Sequence, residues 1–212
     1  MPLELWLAYA ATSAVVLAIP GPTILLVLSY SINHGRSAAL PLVAGVALGD
    51  TVAITLSLVG LGTLLAASAF WFTIIKWLGG LYLIYLGIQL LRSAGDPPPA
   101  QAGQVGEVSP RRLFVNAFVV TALNPKSIVF FIALLPQFIS AAHPLMPQLW
   151  ILGTTFVGLA AIGATAYALF AASIRRFLST PRAQKIYSFA GGGLLGGAGI
   201  WALTAKRVVT AS

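Results

Sequence analysis

The chain contains no cysteine, which removes disulfide frameworks, thiol redox chemistry, haem attachment and cysteine-based metal sites at once. Histidine is almost as scarce: His34 and His143 stand far apart, in short loops, where solvation is a simpler fate than metal binding. Charge is the third shortage. Only 8 % of the 212 residues are charged, 12 basic and 4 acidic, against about 25 % in soluble globular proteins. So few polar side chains cannot clothe a globule of this size, so its apolar surface must face lipid. The formal charge of +8 is scattered along the chain rather than gathered beside aromatic residues, which argues against nucleic acid as a partner.

What is abundant is apolar sequence, 58 % of the chain. Leu5 to Asn33 runs 29 residues without a charge, and Glu4, not a basic segment, precedes it. That suits a retained span better than a cleaved signal. Counting runs of about 20 apolar residues gives six, near Leu5 to Ser31, Leu40 to Leu65, Phe70 to Leu91, Leu113 to Ile139, Gln148 to Ile174 and Ile186 to Ala205. Continuous runs such as Ile24 to Leu28 do not alternate in polarity as barrel strands do. The expected fold is an all-α integral membrane protein with six transmembrane helices.

Ser93 to Pro110 holds four prolines and three glycines in 18 residues and reads as an aqueous linker. It divides the chain into residues 1–92 and 111–212, three spans each, with residues 93–110 between. Three is odd, so the second half would insert upside down relative to the first, as in transporters built from two inverted repeats. Each half carries a helix breaker deep in its first span: Pro20-Gly21-Pro22 in the first and Asn124-Pro125 in the second. A proline frees backbone carbonyls where water is scarce, so something polar must satisfy them. In transporters such breaks present backbone groups and half-helix dipoles to substrate or ion, although a plain kink is the simpler reading of one proline.

Two charges lie deep in apolar segments, Asp50 and Lys126. Each costs about 3 kcal/mol at a helix centre. With about 1.5 Å of rise per residue, Asp50 lies roughly 15 Å beyond Leu40 and Lys126 roughly 20 Å beyond Leu113, both near the middle of a layer about 30 Å thick. Asp50 shares its helical face with Val46, Ala53 and Ser57. A salt bridge pinning two spans together is the plain reading of such a pair. The functional reading gives the carboxylate a proton or an ammonium to hold and the lysine a carboxylate. Candidate substrate- and proton-binding residues are thus Asp50, Lys126, Asn124, Pro125, Pro20, Gly21, Pro22 and Gly49. The GxxxG spacings Gly45/Gly49, Gly192/Gly196 and Gly193/Gly197 point to close helix packing. Tyr82 and Tyr85 fit packing or a cavity wall. Nothing calls for a cofactor, and no phosphate-binding loop is present.

Pro20-Gly21-Pro22, Gly45 through Gly49-Asp50, Lys76 with Gly79, Tyr82-Leu83 through Leu86-Gly87, Asn124-Pro125-Lys126 and Pro136-Gln137-Phe138 together resemble the LysE/RhtB family of amino-acid exporters. Ala117 stands where that pattern usually has glycine. The resemblance implies a six-span protein of the bacterial inner membrane, not an enzyme, that expels a small amino acid or derivative against proton uptake. A homo-oligomer is compatible with it. An intramembrane oxidoreductase or assembly factor, or a divalent-metal exporter, is the alternative; the first finds no thiols here and the second only one deep acid. That single acid favours a neutral over a dibasic substrate, whose second ammonium would lack a partner. Basic residues in short loops stay cytoplasmic. Arg36, Arg92, Arg111, Arg112, Arg175, Arg176, Arg182 and Lys185 fall on one side and Lys76, Lys206 and Arg207 on the other. This predicts both termini outside the cytoplasm and the proline-rich linker inside.

Overall fold

A computed structural model describes residues 1–19, 21–67, 69–92, 108–173 and 180–204. Among these the chain is helical throughout, without a strand. Its helices are α1 (Leu3–Ala18), α2 (Pro22–His34), α3 (Ala39–Ala67), α4 (Ala69–Arg92), α5 (Pro110–Ala122), α6 (Pro125–Ala133), α7 (Leu145–Leu169) and α8 (Pro181–Thr204), with 3-10 turns at Gly35–Ala38 and Leu135–Phe138. Each apolar run in the sequence is therefore one helix or a broken pair. The linker segment 93–107 lies outside the described residues.

Local chemistry sets the helix ends. Pro22, Pro110 and Pro125 each open a helix, where a missing amide hydrogen removes no hydrogen bond. Ser109 and Asn124 cap α5 and α6 by accepting from the backbone amides of Arg112 and Lys126. Gly35 ends α2 at φ 65°, a left-handed conformation that costs glycine little. The stretch Pro22–Gly60 and the helix Leu145–Leu169 are each long and apolar enough to cross a membrane. The pair α5–α6, bent by 41° at its break, has the length and apolarity of a broken span or a re-entrant loop. Large side chains left exposed, such as Leu40, Leu123, Trp150 and Ile162, are apolar, as a lipid-facing surface requires.

α3 packs against α5, α6 and α7; α4 packs against α8 and α6; α1 and α2 both lie on α7. Small residues let two of these pairs touch backbone to backbone. A Cβ on Gly49 would stand 2.8 Å from Phe118 O and 2.7 Å from Thr121 Cβ, so only glycine allows α3 this close to α5. The Ala117 methyl is accommodated at this contact because it faces Gly45. Between α4 and α8 the contact runs through Gly87 with Gly192 and Gly196, and through Gly80 with Gly199, whereas Gly193 and Gly197 face open space. Of these GxxxG glycines in α8 only Gly192 is crowded at its own Cβ position; a Cβ on Gly193, Gly196 or Gly197 would meet nothing among the described residues. The core beside the helix breaks is aromatic: Phe131 meets Phe156 edge-on with ring centres 4.7 Å apart, and Tyr9 meets Phe138 at 5.2 Å.

Candidate functional site

Both helix breaks meet inside the bundle, and each is completed by side chains from the other. At the first, α1 stops at Ala18 and leaves carbonyls without intrahelical partners. Lys126, in the first turn of α6, donates from Nζ to Val16 O at 2.9 Å and to Ile19 O at 2.7 Å. The Tyr167 hydroxyl on α7 donates to Ala18 O at 2.9 Å. At the second break, Asn124 Oδ1 accepts from the backbone amide of Lys126 while its Nδ2 donates to Thr23 Oγ1 at 3.1 Å. Thr121 Oγ1 also donates to Thr23 Oγ1, at 3.3 Å. The carbonyls freed at the first break have therefore found polar partners in the second half of the chain, as the scarcity of water requires. The magnitudes agree: two hydrogen bonds from a charged donor, each about 1.5–3 kcal/mol, are of the size of the roughly 3 kcal/mol cost of a central lysine.

Between the breaks lies a cavity of about 30 Å³. Its polar wall is Gly21, Thr23, Asp50, Asn124, Lys126 and Ser127; Leu17, Ile24, Val46 and, from α7, Ala160, Gly163 and Ala164 complete it. A water needs about 10–15 Å³ on this measure, so the space holds a water or two and must widen to admit an amino acid. Asp50 is 3 % exposed and Lys126 8 %. Asp50 arrives from α3, whose buried face carries Val46, Ala53 and Ser57 as the helical spacing predicts. The close packing of Gly45 and Gly49 on α5 holds that face beside the second break. Asp50 and Lys126 lie within electrostatic range of each other. Yet among the described residues Asp50 makes no direct ion pair or hydrogen bond, and the lysine spends two of its three protons on carbonyls. The pair is not a salt bridge pinning two helices.

Chemically the cavity offers a carboxylate with all its acceptor sites open, one remaining ammonium proton, and the first turn of α2, which has no side-chain cap and contributes the positive end of a helix dipole. That set is complementary to a group carrying an ammonium at one end and a carboxylate or carbonyl at the other.

Of the residues singled out from the sequence, Asp50, Lys126, Asn124 and Gly21 line the cavity together. Pro22 and Pro125 start the helices that frame it. Gly49 faces α5 instead and positions its neighbour, and Pro20 lies outside the described residues. Tyr82 and Tyr85 lie beside each other on α4, with tilted rings 6.2 Å apart, and take no part in the cavity wall. Sequence reading missed Thr23, Ser127 and Tyr167. A signal for the first two was present, because a hydroxyl residue follows the proline of each helix break within two positions, as Pro22-Thr23 and Pro125-Lys126-Ser127.

Comparison with known proteins gives a consistent picture. The family model described as LysE type translocator matches residues 14–206. The chain is 40 % identical over 194 residues to a homoserine/homoserine lactone efflux protein of Salmonella typhimurium, covering 92 % of this chain and 93 % of that one. It is 41 % identical over 194 residues to the protein of the same description in Salmonella typhi, with the same coverage. It is 36 % identical over 207 residues to a membrane protein of Vibrio cholerae, covering 97 % of this chain and all of that one. No solved structure matches.

Proposed function

The chain belongs to the LysE-type translocator family of membrane proteins, and on that premise we propose that it exports a small neutral amino acid or derivative from the bacterial cytoplasm in exchange for protons. The observation that carries this reading is the cavity where two broken helices meet, with Asp50 and Lys126 on its wall. Asp50 takes the substrate ammonium, or a proton when the substrate is absent. Lys126 and the opening turn of α2 take the carboxylate, or the ring carbonyl of a lactone. The Salmonella relatives, named for homoserine and its lactone, support a substrate with one ammonium and an uncharged side chain. A single acid in the cavity supports the same choice, since a dibasic amino acid would bring a second ammonium.

The proposal includes the architecture. Six spans are arranged as two inverted repeats, α1–α4 and α5–α8, in the inner membrane, with the linker cytoplasmic and both termini outside. The packing supports the repeat because its contacts come in matched pairs. α3 lies on α5 and α6 as α7 lies on α1 and α2, and α4·α8 and α3·α7 pair across the halves. A pseudo-twofold axis in the membrane plane would produce that pattern. The test is counterflow in proteoliposomes with labelled homoserine, threonine, leucine and lysine, with and without a pH gradient. Exchange of homoserine or threonine, accelerated by a proton gradient directed opposite to export, is expected. Exchange of lysine alone would overturn the neutral assignment, and insensitivity to the gradient would overturn the coupling.

A further inference from the structure

The buried residues of α1 are Tyr9, Ser13 and Val16, spaced so that they share one face. That face continues into the cavity wall: Val16 gives its carbonyl to Lys126, and Leu17 lines the cavity. Ser13 stands about one turn from Leu17 and Tyr9 about two. Both hydroxyls are fully buried; they stand beside each other on α1, close enough to interact, yet among the described residues neither has a partner in good hydrogen-bonding geometry. Buried polar groups are nearly always bonded, so two empty hydroxyls on one strip call for an explanation. Beyond Tyr9 the polar strip ends against the rings of Phe130 and Phe138, 6.1 and 5.2 Å from its own.

We propose that Ser13 and Tyr9 form the subsite for the substrate's side chain, and that they select a small amino acid bearing a hydroxyl or carbonyl oxygen over its aliphatic counterpart. The inference rests on the exporter reading above. With the ammonium at Asp50 and the carboxylate at Lys126, a side chain laid along α1 meets Ser13 first and Tyr9 next. The aromatic layer bounds its length. A polar tip satisfies both hydroxyls, whereas a methyl tip displaces whatever water reaches them and leaves them empty, which is how a site built for a hydroxyl rejects the analogue without one. Widening the cavity onto this face requires the end of α1 to leave Lys126 and Tyr167, whose bonds to Val16, Ile19 and Ala18 hold it in place.

The experiment compares counterflow of homoserine and 2-aminobutyrate, which differ by one hydroxyl, in proteoliposomes of the full chain: wild type, Tyr9→Phe, Ser13→Ala, Ser13→Thr and the Tyr9→Phe/Ser13→Ala double variant. The wild type should prefer homoserine by about tenfold, the worth of one or two hydrogen bonds. Tyr9→Phe and Ser13→Ala should each erode that preference and the double variant should abolish it, homoserine exchange falling while 2-aminobutyrate exchange holds or rises as the hydroxyls it leaves empty are removed. Ser13→Thr, which keeps the hydroxyl, should keep the preference. An unchanged preference in the double variant, no preference in the wild type, or an equal fall for both substrates would overturn the subsite while leaving the exporter reading intact. Wild-type protein that exchanges no amino acid would overturn the exporter reading, and the subsite with it.

Discussion

Lys126 is in the first instance a helix cap supplied from across the bundle, and its position explains why a charge is tolerated there. Its ammonium replaces the water that would otherwise solvate the end of α1. Lys126→Met should therefore lower stability by about 1–3 kcal/mol through the stranded carbonyls, and Lys126→Gln, which keeps donors, should lose less. Thermal unfolding in detergent compares the two, and equal losses would contradict the capping role. Thr23 and Asn124 make a second link between the breaks. Thr23→Val and Asn124→Ala should each destabilise by about 1 kcal/mol, and their double variant should cost less than the two added together. Strict additivity would show that the link carries nothing. At this scale the sequence was more informative about charge than about hydroxyls. A charge inside an apolar run is costly enough to stand out, whereas a hydroxyl resembles any polar residue that satisfies its own helix, as Thr51 and Thr165 do. Thr23 and Ser127 are marked only by the prolines beside them, and Tyr167 only by the fold.

Among the helices, the breaks were legible because proline has one steric consequence wherever it occurs, and Pro22 and Pro125 do begin new helices. What the sequence could not convey was the partner of each break, since Val16, Ile19 and Lys126 are brought together by contacts more than a hundred residues apart. The glycines were legible as packing residues but not by stripe: Gly193 repeats the spacing of Gly192 and packs against nothing. The pairing of α3 with α5 is what sets Asp50 beside the cavity. Gly49→Ala would place a methyl 2.8 Å from Phe118 O, and two apolar helices must then part. A loss of about 1–3 kcal/mol is expected, with transport falling as Asp50 is displaced. Gly193→Ala, facing open space, should change neither. If Gly49→Ala left both unfolding and transport untouched, the packing account of the site would fail.

Taken whole, the molecule has its polar chemistry gathered at one internal place and its apolar residues outside. On the proposed orientation, reporter fusions after Ser212 and within residues 100–107 should give non-cytoplasmic and cytoplasmic signals respectively; a cytoplasmic signal from Ser212 would reverse it. The six runs and the odd number in each half could be counted from the sequence because hydrophobic length is a one-dimensional property. The crossing of the two halves could not, because it depends on which faces meet. The account stands most directly on Asp50 and Lys126 serving transport rather than pinning the bundle. The measurement is export per folded molecule for Asp50→Asn, Lys126→Gln and the double variant. All three should insert and fold, and all three should be inactive, because the two groups are not paired and each has its own task. Recovery of export in the neutral double variant would contradict the account, since only a salt bridge is restored by removing both of its charges.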